Sequence, residues 1–258
     1  MQLLAMDYKA LIFDLDGTAI PNVPNGLPSP ELIDAVRQSQ GSIKLCAATG
    51  RPITNAKPIL TALNLQDPCV ISAGTQIINP LTDEILWEAN IESDDINKIL
   101  AVCKPYHYEI LVRNELIGEG GSAVNRPNID GHVNVMYIMG CAEPDAKAIL
   151  AELDMIENIT AAGVTSWTHE GVDIHVTHKE ATKEHAVGEL LNILGLDKSE
   201  VVGVGDANND VHLFEAVGHK VAMGNGTEKL KSLADEVIDS VDEDGLAKFI
   251  RKVSNETV

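Results

Sequence analysis

Polar side chains that could do chemistry follow four apolar runs of the sequence, at the point where each run ends. In chain order they are Asp14 with Asp16, Thr49, Ser72, and Asp206 with Asn209 and Asp210. Ligands of a parallel sheet bind beyond the carboxyl ends of its strands, so these groups are expected to meet in one crevice. Any one of them alone is typical of a loop or a helix cap, whereas several acids from separate segments favour a functional site.

The acidic members of this set predict a divalent cation. Carboxylates held close together repel one another unless a cation neutralises them, and hard oxygen ligands suit Mg²⁺. The two-residue spacing of Asp14 and Asp16 puts both side chains on one side of an extended backbone. Gly17 then allows the chain to turn away sharply, which would leave the two acids at the edge of the sheet.

Two further positions could hold an anion such as phosphate. Thr49 precedes Gly50 and Arg51 at the start of a predicted helix, where free N–H groups attract anions. Lys183 lies in the first turn of another predicted helix, where a cation opposes the helix dipole at a cost of about 0.3–1 kcal/mol. That unfavourable position hints at use, with a solvated surface lysine as the alternative. A metal, a carboxylate, a hydroxyl, an ammonium and a helix N-terminus together suit phosphoryl transfer.

The two ends of the chain alternate strand and helix signals, and these elements must position the polar groups. Apolar runs predict strands at residues 9–13, 43–48, 69–72, 201–204, 220–223 and 237–238. Helical spacing predicts helices over 30–40, from 52 onward, and over 181–194, 210–217, 227–233 and 245–251. Ser29 is expected to cap the first helix, with Pro30 in its first position. Unalternating runs separated by helices indicate parallel strands buried on both faces, so the predicted fold class is α/β, a doubly wound, Rossmann-like sheet.

The middle of the chain has a different pattern, which predicts an inserted α+β domain with antiparallel strand pairs. Its predicted strands are residues 84–88, 108–112, 133–139, 158–162 and 165–169, and its predicted helices are 94–104, capped by Ser93, and 143–153. A hairpin is expected around Gly163, and a strand over 172–176 is expected to resume the βα alternation. The predicted domains are therefore a core of residues 1–79 and 178–258 and an insertion of residues 80–177.

Composition limits the classes of partner. Lys and Arg number 19 against 39 Asp and Glu in 258 residues, a formal net charge of −20. So acidic a chain has no general attraction to phosphate backbones, which argues against nucleic acid as a partner. No apolar run approaches a membrane span and no secretory signal is evident at the start, so neither a membrane nor export is expected. Four well-separated cysteines without a CxxC pair fit a reducing cytoplasm.

Four motifs in order resemble those of the haloacid dehalogenase-like superfamily of phosphohydrolases and, within it, the Cof-type phosphatase branch. They are DLDGT at residues 14–18, TGR at 49–51, Lys183, and GDANND at 205–210. The runs VAMGN at 221–225 and DEDG at 242–245 are also similar to Cof-type sequences. The resemblance covers the predicted core and implies that the inserted domain is a cap that closes over the substrate.

The resemblance implies a role for each acid. Asp14 would be the nucleophile that forms an aspartyl-phosphate and would also bind Mg²⁺. Asp16 would be the general acid and base, with its backbone carbonyl on the metal. Asp206 would be the third protein ligand of Mg²⁺, and Asp210 would be a ligand through water or a partner of the ligands.

The resemblance also implies how phosphate is held. Thr49, with Gly50 beside it, and Lys183 would bind the transferring phosphoryl group, and Asn209 would contact phosphate or orient Asp14. Contacts to the rest of the substrate are expected from Arg51, Arg113, Arg126 and His132. The sequence departs from the usual Cof-type pattern at Ala19, at residues 72–75 and at Glu184, and these departures bear on specificity.

The function that these inferences imply is Mg²⁺-dependent hydrolysis of a small phosphomonoester. A sugar phosphate is the first expectation for the substrate class, and pyridoxal phosphate or a flavin mononucleotide-like ester is the second. A sugar phosphomutase of the same superfamily is an alternative, and so is a non-enzymatic phospho-acceptor or metal-binding module. A metal site of His169, His175, His178 and His185, and a dinucleotide loop at residues 203–205, are less favoured readings of the remaining signals.

Overall fold

The computed structural model describes residues 8–23, 26–113, 122–123, 132–165 and 170–256. The chain forms two compact units, Met1–Trp87 with Thr182–Val258, and Glu88–Ala181. The sequence placed the two divisions after residues 79 and 177. The first division comes later because the strand that ends at Glu88 pairs within a sheet of the first unit.

The elements follow one another along the chain in the order that the motifs require. The strands are β1 (Ala10–Phe13), β2 (Lys44–Ala47), β3 (Cys69–Ile71), β4 (Gln76–Ile78), β5 (Ile85–Glu88), β6 (Glu109–Arg113), β7 (Ser122–Ala123), β8 (Val135–Cys141), β9 (Ile159–Thr165), β10 (Val172–His178), β11 (Val201–Gly205), β12 (His219–Ala222) and β13 (Glu236–Val237). The α-helices are α1 (Pro30–Ser39), α2 (Ile53–Ala62), α3 (Ser93–Cys103), α4 (Glu143–Leu153), α5 (Lys183–Leu194), α6 (Val211–Ala216), α7 (Glu228–Lys231) and α8 (Gly245–Glu256).

The first unit is built on a parallel sheet with the strand order β13-β12-β11-β1-β2. The central strand β1 pairs in parallel with β2 on one side and with β11 on the other, so that Leu11 lies between Leu45 and Val202. Every residue of β1 and β11 is buried, which explains why these strands read as continuous apolar runs. The predicted α/β class with a Rossmann-like core is therefore confirmed.

Helix boundaries in the first unit follow local capping. The hydroxyl of Ser29 accepts a hydrogen bond from the N–H of Leu32 at 3.1 Å, and Pro30 is the first residue of α1, as predicted. Thr182 caps α5 in the same way by accepting from the N–H of His185. Lys183 is therefore the first residue of its helix, directly at the helix N-terminus.

The third apolar run was predicted to extend the parallel sheet, and it does so through one parallel bridge and not through a full ladder. β3 pairs antiparallel with β4, and these two strands form a separate small sheet with β5. β3 contacts the parallel sheet through a single bridge between Ala48 and Val70. The bridge still brings the end of β3 beside Thr49, whose N–H donates to the carbonyl of Val70 at 3.0 Å.

The second unit is an antiparallel sheet with the order β7-β6-β8-β10-β9, packed against α3 and α4. Its apolar core joins side chains of both helices to one face of the sheet, among them Ile99, Ile149, Met136 and Ile174. This confirms the predicted α+β pattern with antiparallel pairs for this part of the chain.

Three local predictions in the second unit are wrong. Gly163 does not turn a hairpin but lies inside the continuous strand β9, opposite Ile174. β10 does not resume the parallel alternation, because it pairs antiparallel with β8 and β9. Ser93 is the first helical residue of α3, and the capping position is Glu92, whose side chain makes no capping hydrogen bond.

All four cysteines lie in the described part of the chain. Cys46, Cys69, Cys103 and Cys141 are all buried free thiols. Burial raises the pKa of Cys69 to about 12, which keeps this sulfur protonated and unreactive.

Within the described part of the chain, no helix combines the length and the apolar character needed to cross a bilayer.

Candidate active site

Asp14 follows β1 directly and is held by the parallel ladder. Its N–H donates to the carbonyl of Val204 at 3.0 Å, and only 4% of the residue is exposed. The next residues form a tight loop in which the carbonyl of Leu15 accepts from the N–H groups of Ala19 and Ile20. Gly17 has a φ of +80° in this loop, and a Cβ there would overlap the carboxylate of Asp206. The loop thus needs glycine in order to bring the first acids close to Asp206.

Lys183 joins two acids in the interior of the crevice. Its Nζ lies 2.8 Å from Oδ1 of Asp14 and 2.7 Å from Oδ1 of Asp210, and all three side chains are buried. Burial lowers the pKa of Lys183, but the attraction of the two carboxylates outweighs it and raises the pKa above its usual value. The alternative of a solvated surface lysine is therefore wrong, and the ammonium is a fixed positive charge at the centre of the site.

Asp14 and Asp206 both have raised pKa values. Burial raises the pKa of Asp14 to about 7, with Lys183 lowering it and Asp210 raising it. Burial also raises the pKa of Asp206 to about 6, although its Oδ1 accepts a hydrogen bond from the hydroxyl of Thr18 at 3.0 Å. In each case burial is the main cause, and the neighbouring carboxylate of Asp210 adds to it.

The acids can accommodate a cation. Asp14, Asp206 and Asp210 each offer a carboxylate oxygen, and these three atoms lie within 4.8 Å of one another. Three carboxylates against one ammonium leave an excess of negative charge, which favours a divalent ion with oxygen ligands. Asp210 is already engaged, because its Oδ2 accepts from the N–H groups of Asp206 and Ala207 at 3.0 Å.

Thr49 lies on the other side of the crevice, after β2. It is fully buried, and its Oγ1 accepts a hydrogen bond from the N–H of Arg51 at 3.1 Å. This contact leaves the hydroxyl hydrogen available to a ligand oxygen. Gly50 between them is exposed and has open space where a Cβ would lie.

Asp16 and Arg51 form a bidentate ion pair. Nε of Arg51 donates to Oδ2 of Asp16 at 2.8 Å, and an Nη of the same guanidinium donates to Oδ1 at 2.5 Å. Both side chains are partly exposed at the rim of the crevice. The structure thus pairs a residue predicted to contact substrate with the residue predicted to be the acid and base.

Of the remaining predicted site residues, Asn209 lies in the first unit, and Arg113, Arg126 and His132 belong to the inserted part of the chain. Asn209 is exposed, and in the part of the chain that the structure describes it makes no hydrogen bond to Asp14. Arg113 ends β6 in the second unit, and Arg126 lies outside the described residues. His132, also in the second unit, is exposed and places Nδ1 2.6 Å from Oε1 of Glu88.

The less favoured metal and nucleotide sites find no support. His175 contacts the ring of Tyr137 edge-on, whereas His178 and His185 lie beside Glu180 and Glu189, and His169 lies outside the described residues. Apart from the crevice, the described residues offer one metal-capable group, the exposed set Glu184, His212 and Glu215. At the proposed dinucleotide loop, Gly205 packs directly against the side chain of Asp210.

The sequence assigned no role to Asn225, which stood out only as the last residue of the run at 221–225. The side-chain amide of Asn225 donates to the carbonyl of Gly17 at 2.8 Å, and its oxygen accepts from the N–H of Val241 at 2.9 Å. It therefore ties the loop after β1 to the segment before α8. The rule that polar residues after a strand point to the site would have found it, since Asn225 follows the carboxyl end of β12.

Several known proteins are similar to this chain in sequence. The sequence model of the haloacid dehalogenase-like hydrolases matches residues 11–119 and 123–250. The 5-amino-6-(5-phospho-D-ribitylamino)uracil phosphatase YcsE of Bacillus subtilis is 24% identical over 255 residues, which cover 95% of this chain and 96% of that protein. A phosphoglycolate phosphatase of Sulfolobus acidocaldarius is 40% identical over 83 residues, 32% of this chain and 37% of its own length.

Solved structures share the fold. The sugar phosphatase BT4131, of HAD subclass IIB, superposes with a TM-score of 0.67 at 23% identity and covers 95% of this chain and 98% of its own. The HAD phosphatase BT1666 of Bacteroides thetaiotaomicron gives a TM-score of 0.76 at 21% identity, over 100% and 98% of the two chains.

Proposed function

Because the chain belongs to the haloacid dehalogenase-like hydrolase family and is a phosphatase, we propose that it hydrolyses a small phosphomonoester, above all a sugar phosphate, in a Mg²⁺-dependent reaction through an aspartyl-phosphate. The observation that carries this proposal is the buried contact of Lys183 with Asp14 and Asp210, beside Asp206. It joins a carboxylate nucleophile, a phosphate-binding ammonium and a cation site in one crevice.

The reaction has two steps on the residues of the first unit. A carboxylate oxygen of Asp14 attacks phosphorus, the bond from phosphorus to the ester oxygen breaks, and Asp16 gives that oxygen a proton. Asp16 then takes a proton from water, the water oxygen attacks phosphorus, and orthophosphate leaves with Asp14 restored. Arg51 orients the carboxylate of Asp16 through two hydrogen bonds.

Charge on the transferring group is balanced by fixed donors. Lys183 and the hydroxyl of Thr49 hold the phosphoryl oxygens, with Gly50 leaving room for their approach. A Mg²⁺ ion held by Asp14, the carbonyl of Asp16 and Asp206 would neutralise further charge on the phosphoryl group. Both oxygens of Asp210 already accept hydrogen bonds, one from Lys183 and the other from backbone N–H groups. This supports a role for Asp210 as a partner of the metal ligands or as a ligand through water.

The second unit is the cap in this proposal, and it selects the substrate. Hydrolases of this kind need a separate surface to choose the leaving group and to exclude water. Arg113, Arg126 and His132 are the candidate residues there, and Arg51 and Asn209 are candidates in the first unit. Two similar proteins, the sugar phosphatase BT4131 and the 5-amino-6-(5-phospho-D-ribitylamino)uracil phosphatase YcsE, support a phosphorylated polyol or sugar as the class of substrate. Four buried free thiols support a reducing cytoplasm as its location.

The proposal is tested by a panel of phosphorylated metabolites with Mg²⁺, followed by the same assay after exhaustive chelation. We expect turnover of one or a few sugar phosphates, loss of turnover on chelation, and recovery with Mg²⁺. Asp14→Asn should be inactive, whereas the control Asp67→Asn changes an acid that binds Lys44 and the N–H of Leu45, outside the crevice, and should remain active. Activity that survives chelation or Asp14→Asn would disprove the mechanism.

A further inference from the structure

The turn after β3, which we call the spacer turn and define as residues 72–75, has an unusual backbone. Ser72, Ala73 and Gly74 have successive φ values of +51°, +56° and +101°. Only glycine adopts this region without strain, so two side-chain-bearing residues are held there against their preference. Such a conformation persists only where the surroundings impose it.

The spacer turn is bonded to the loop that carries Thr49. The N–H of Ser72 donates to the carbonyl of Arg51 at 2.8 Å, and the N–H of Ala73 donates to the carbonyl of Thr49 at 3.1 Å. Both donors point to the same short loop because their backbone has the left-handed conformation. The strain of the turn is therefore coupled to the position of Thr49.

The other side of the spacer turn lies against the start of α5. A Cβ on Gly74 would overlap the carbonyl group of Thr182 and would lie 2.8 Å from the backbone nitrogen of Lys183. The backbone of the turn is thus in direct contact with the residue that carries the buried ammonium. One four-residue segment touches both the Thr49 loop and the backbone of Lys183.

The spacer turn also carries two buried polar side chains, those of Ser72 and Thr75. Among the described residues, the hydroxyl oxygens of Ser72 and Thr75 are buried without a hydrogen-bond partner. An apolar residue at either position would avoid that cost. Backbone strain and unpaired hydroxyl groups in one turn beside the crevice are typical of a segment that has a functional role.

We propose that the spacer turn is a positioning element, which sets the separation between Thr49 and the ammonium of Lys183 and so the fit of the crevice to a phosphoryl group. This inference rests on the proposed function, in which those two residues hold the transferring group. A displacement of about 1 Å in such groups can cost about 10²-fold in rate. The turn acts through Thr49 and Lys183 and touches no reacting atom itself.

The first test compares two glycine substitutions. Gly74→Ala adds a methyl group against Thr182, whereas Gly41→Ala changes a glycine with φ +85° and open space, between α1 and β2. Both variants carry the strain of a positive φ, and Gly74→Ala adds an overlap with Thr182, so only this variant displaces the start of α5. With an aryl phosphate and Mg²⁺, we expect kcat of Gly74→Ala to fall by about 10–100-fold and that of Gly41→Ala to stay within about twofold.

A binding measurement separates this inference from the proposed function. Calorimetric titration with inorganic phosphate in the presence of Mg²⁺ requires no turnover, and Gly74→Ala should weaken phosphate binding by about 10-fold relative to Gly41→Ala. If the wild-type protein binds phosphate but hydrolyses no ester, the proposed function is disproved. The comparison of phosphate affinities between the two variants then still tests the role of the spacer turn. Equal kcat and equal phosphate affinity in the two variants would overturn the inference, as would a wild-type protein that binds no phosphate.

A second variant covers the case in which Gly74→Ala does not fold. The double substitution Ser72→Gly with Ala73→Gly removes the strain and loosens the turn, with no added atoms. We expect a folded protein with an unfolding midpoint close to that of the wild type and a kcat lowered by about 10-fold. Wild-type kcat in this loosened variant would overturn the inference.

Discussion

Asp14 and Asp16 are two residues apart and have different surroundings. Asp14 is buried against Lys183, whereas both oxygens of Asp16 are held by Arg51 at the partly exposed rim. A buried carboxylate beside an ammonium is suited to bond to phosphorus. A rim carboxylate is suited to exchange protons with an ester oxygen and with water. The two positions therefore predict separable defects when each acid is replaced by its amide.

Replacement of the two acids should give opposite covalent outcomes. Asp14→Asn should accept no phosphate, because the attacking oxygen is changed. Asp16→Asn should accept phosphate from an aryl ester, whose leaving group needs little protonation, and should then accumulate phosphoenzyme because water is no longer activated. General acid–base help is worth about 10²–10⁴-fold, so turnover of a sugar phosphate by Asp16→Asn should fall by that factor.

Intact-protein mass after a brief incubation with an aryl phosphate and Mg²⁺ measures the covalent state. Wild-type protein treated in parallel gives the steady-state level of phosphoenzyme. Phosphate on Asp14→Asn, with none on Asp16→Asn, would mean that the two roles are assigned the wrong way round.

The raised pKa values of Asp14 and Asp206 predict how pH affects stability and metal binding. With values of about 7 and about 6, both carboxyls bind protons in the folded protein that they do not bind when unfolded at the same pH. Their contribution to the stability of the metal-free protein is thus complete below about pH 4 and is lost as pH rises through about 6 to 7. A divalent cation replaces those protons, so Mg²⁺ should raise the unfolding midpoint more at about pH 8 than at about pH 5.

Thermal unfolding with and without Mg²⁺ at the two pH values provides the measurement. Asp206→Asn should show a smaller Mg²⁺ effect at the higher pH than the wild type does. If Mg²⁺ raises the unfolding midpoint of the wild-type protein equally at both pH values, these carboxyls do not bind the ion.

At the scale of elements, α5 combines a functional N-terminus with an ordinary helical body. Gly188 lies in its interior with no atom near the place of a Cβ, so nothing in the packing requires glycine there. Gly188→Ala should stabilise the protein by about 0.5–1 kcal/mol through reduced backbone freedom in the unfolded chain. Chemical denaturation measures the gain, and kcat should not change; a loss of stability would show that the helix needs the glycine.

The same elements show what the sequence could predict. The strands β1, β2 and β11 and the capped helix α1 were predictable because continuous apolar runs, Ser29 and Pro30 are local signals. The antiparallel pairing of β3 was not, since a short buried strand has the same apolar run in either direction. Gly163 was misread because a glycine inside a strand and a glycine in a turn have the same local signature.

The candidate site could also be predicted only in part from the sequence. The acids after β1 and β11 follow from the rule on strand ends, and Lys183, which stands at an unfavourable helix position for a cation, is buried beside two of these acids. The ion pair of Asp16 with Arg51 could not be predicted, because it joins side chains from separate loops. The backbone of residues 72–74 was also hidden, since Ser and Ala carry no signal for a positive φ.

For the whole molecule, the net charge of −20 opposes the approach of a phosphate dianion. Salt screens this repulsion, with a Debye length of about 10 Å at 0.1 M. At fixed saturating Mg²⁺, kcat/KM for a phosphomonoester should therefore rise as NaCl increases from about 10 to about 150 mM, while kcat stays constant. A fall in kcat/KM over this range would mean that local positive groups dominate the field at the entrance.

The order in which the strands occur along the chain also matters while the protein is being made. β1 needs β11 as its second neighbour, and the partners of Asp14 in the crevice are Lys183, Asp206 and Asp210. A ribosome must therefore translate the entire second unit before the parallel sheet can close, and until then β1 and β2 are an open edge on the nascent chain. The acidic crevice is thus one of the last features to form, and a chain released early would carry Asp14 without Lys183.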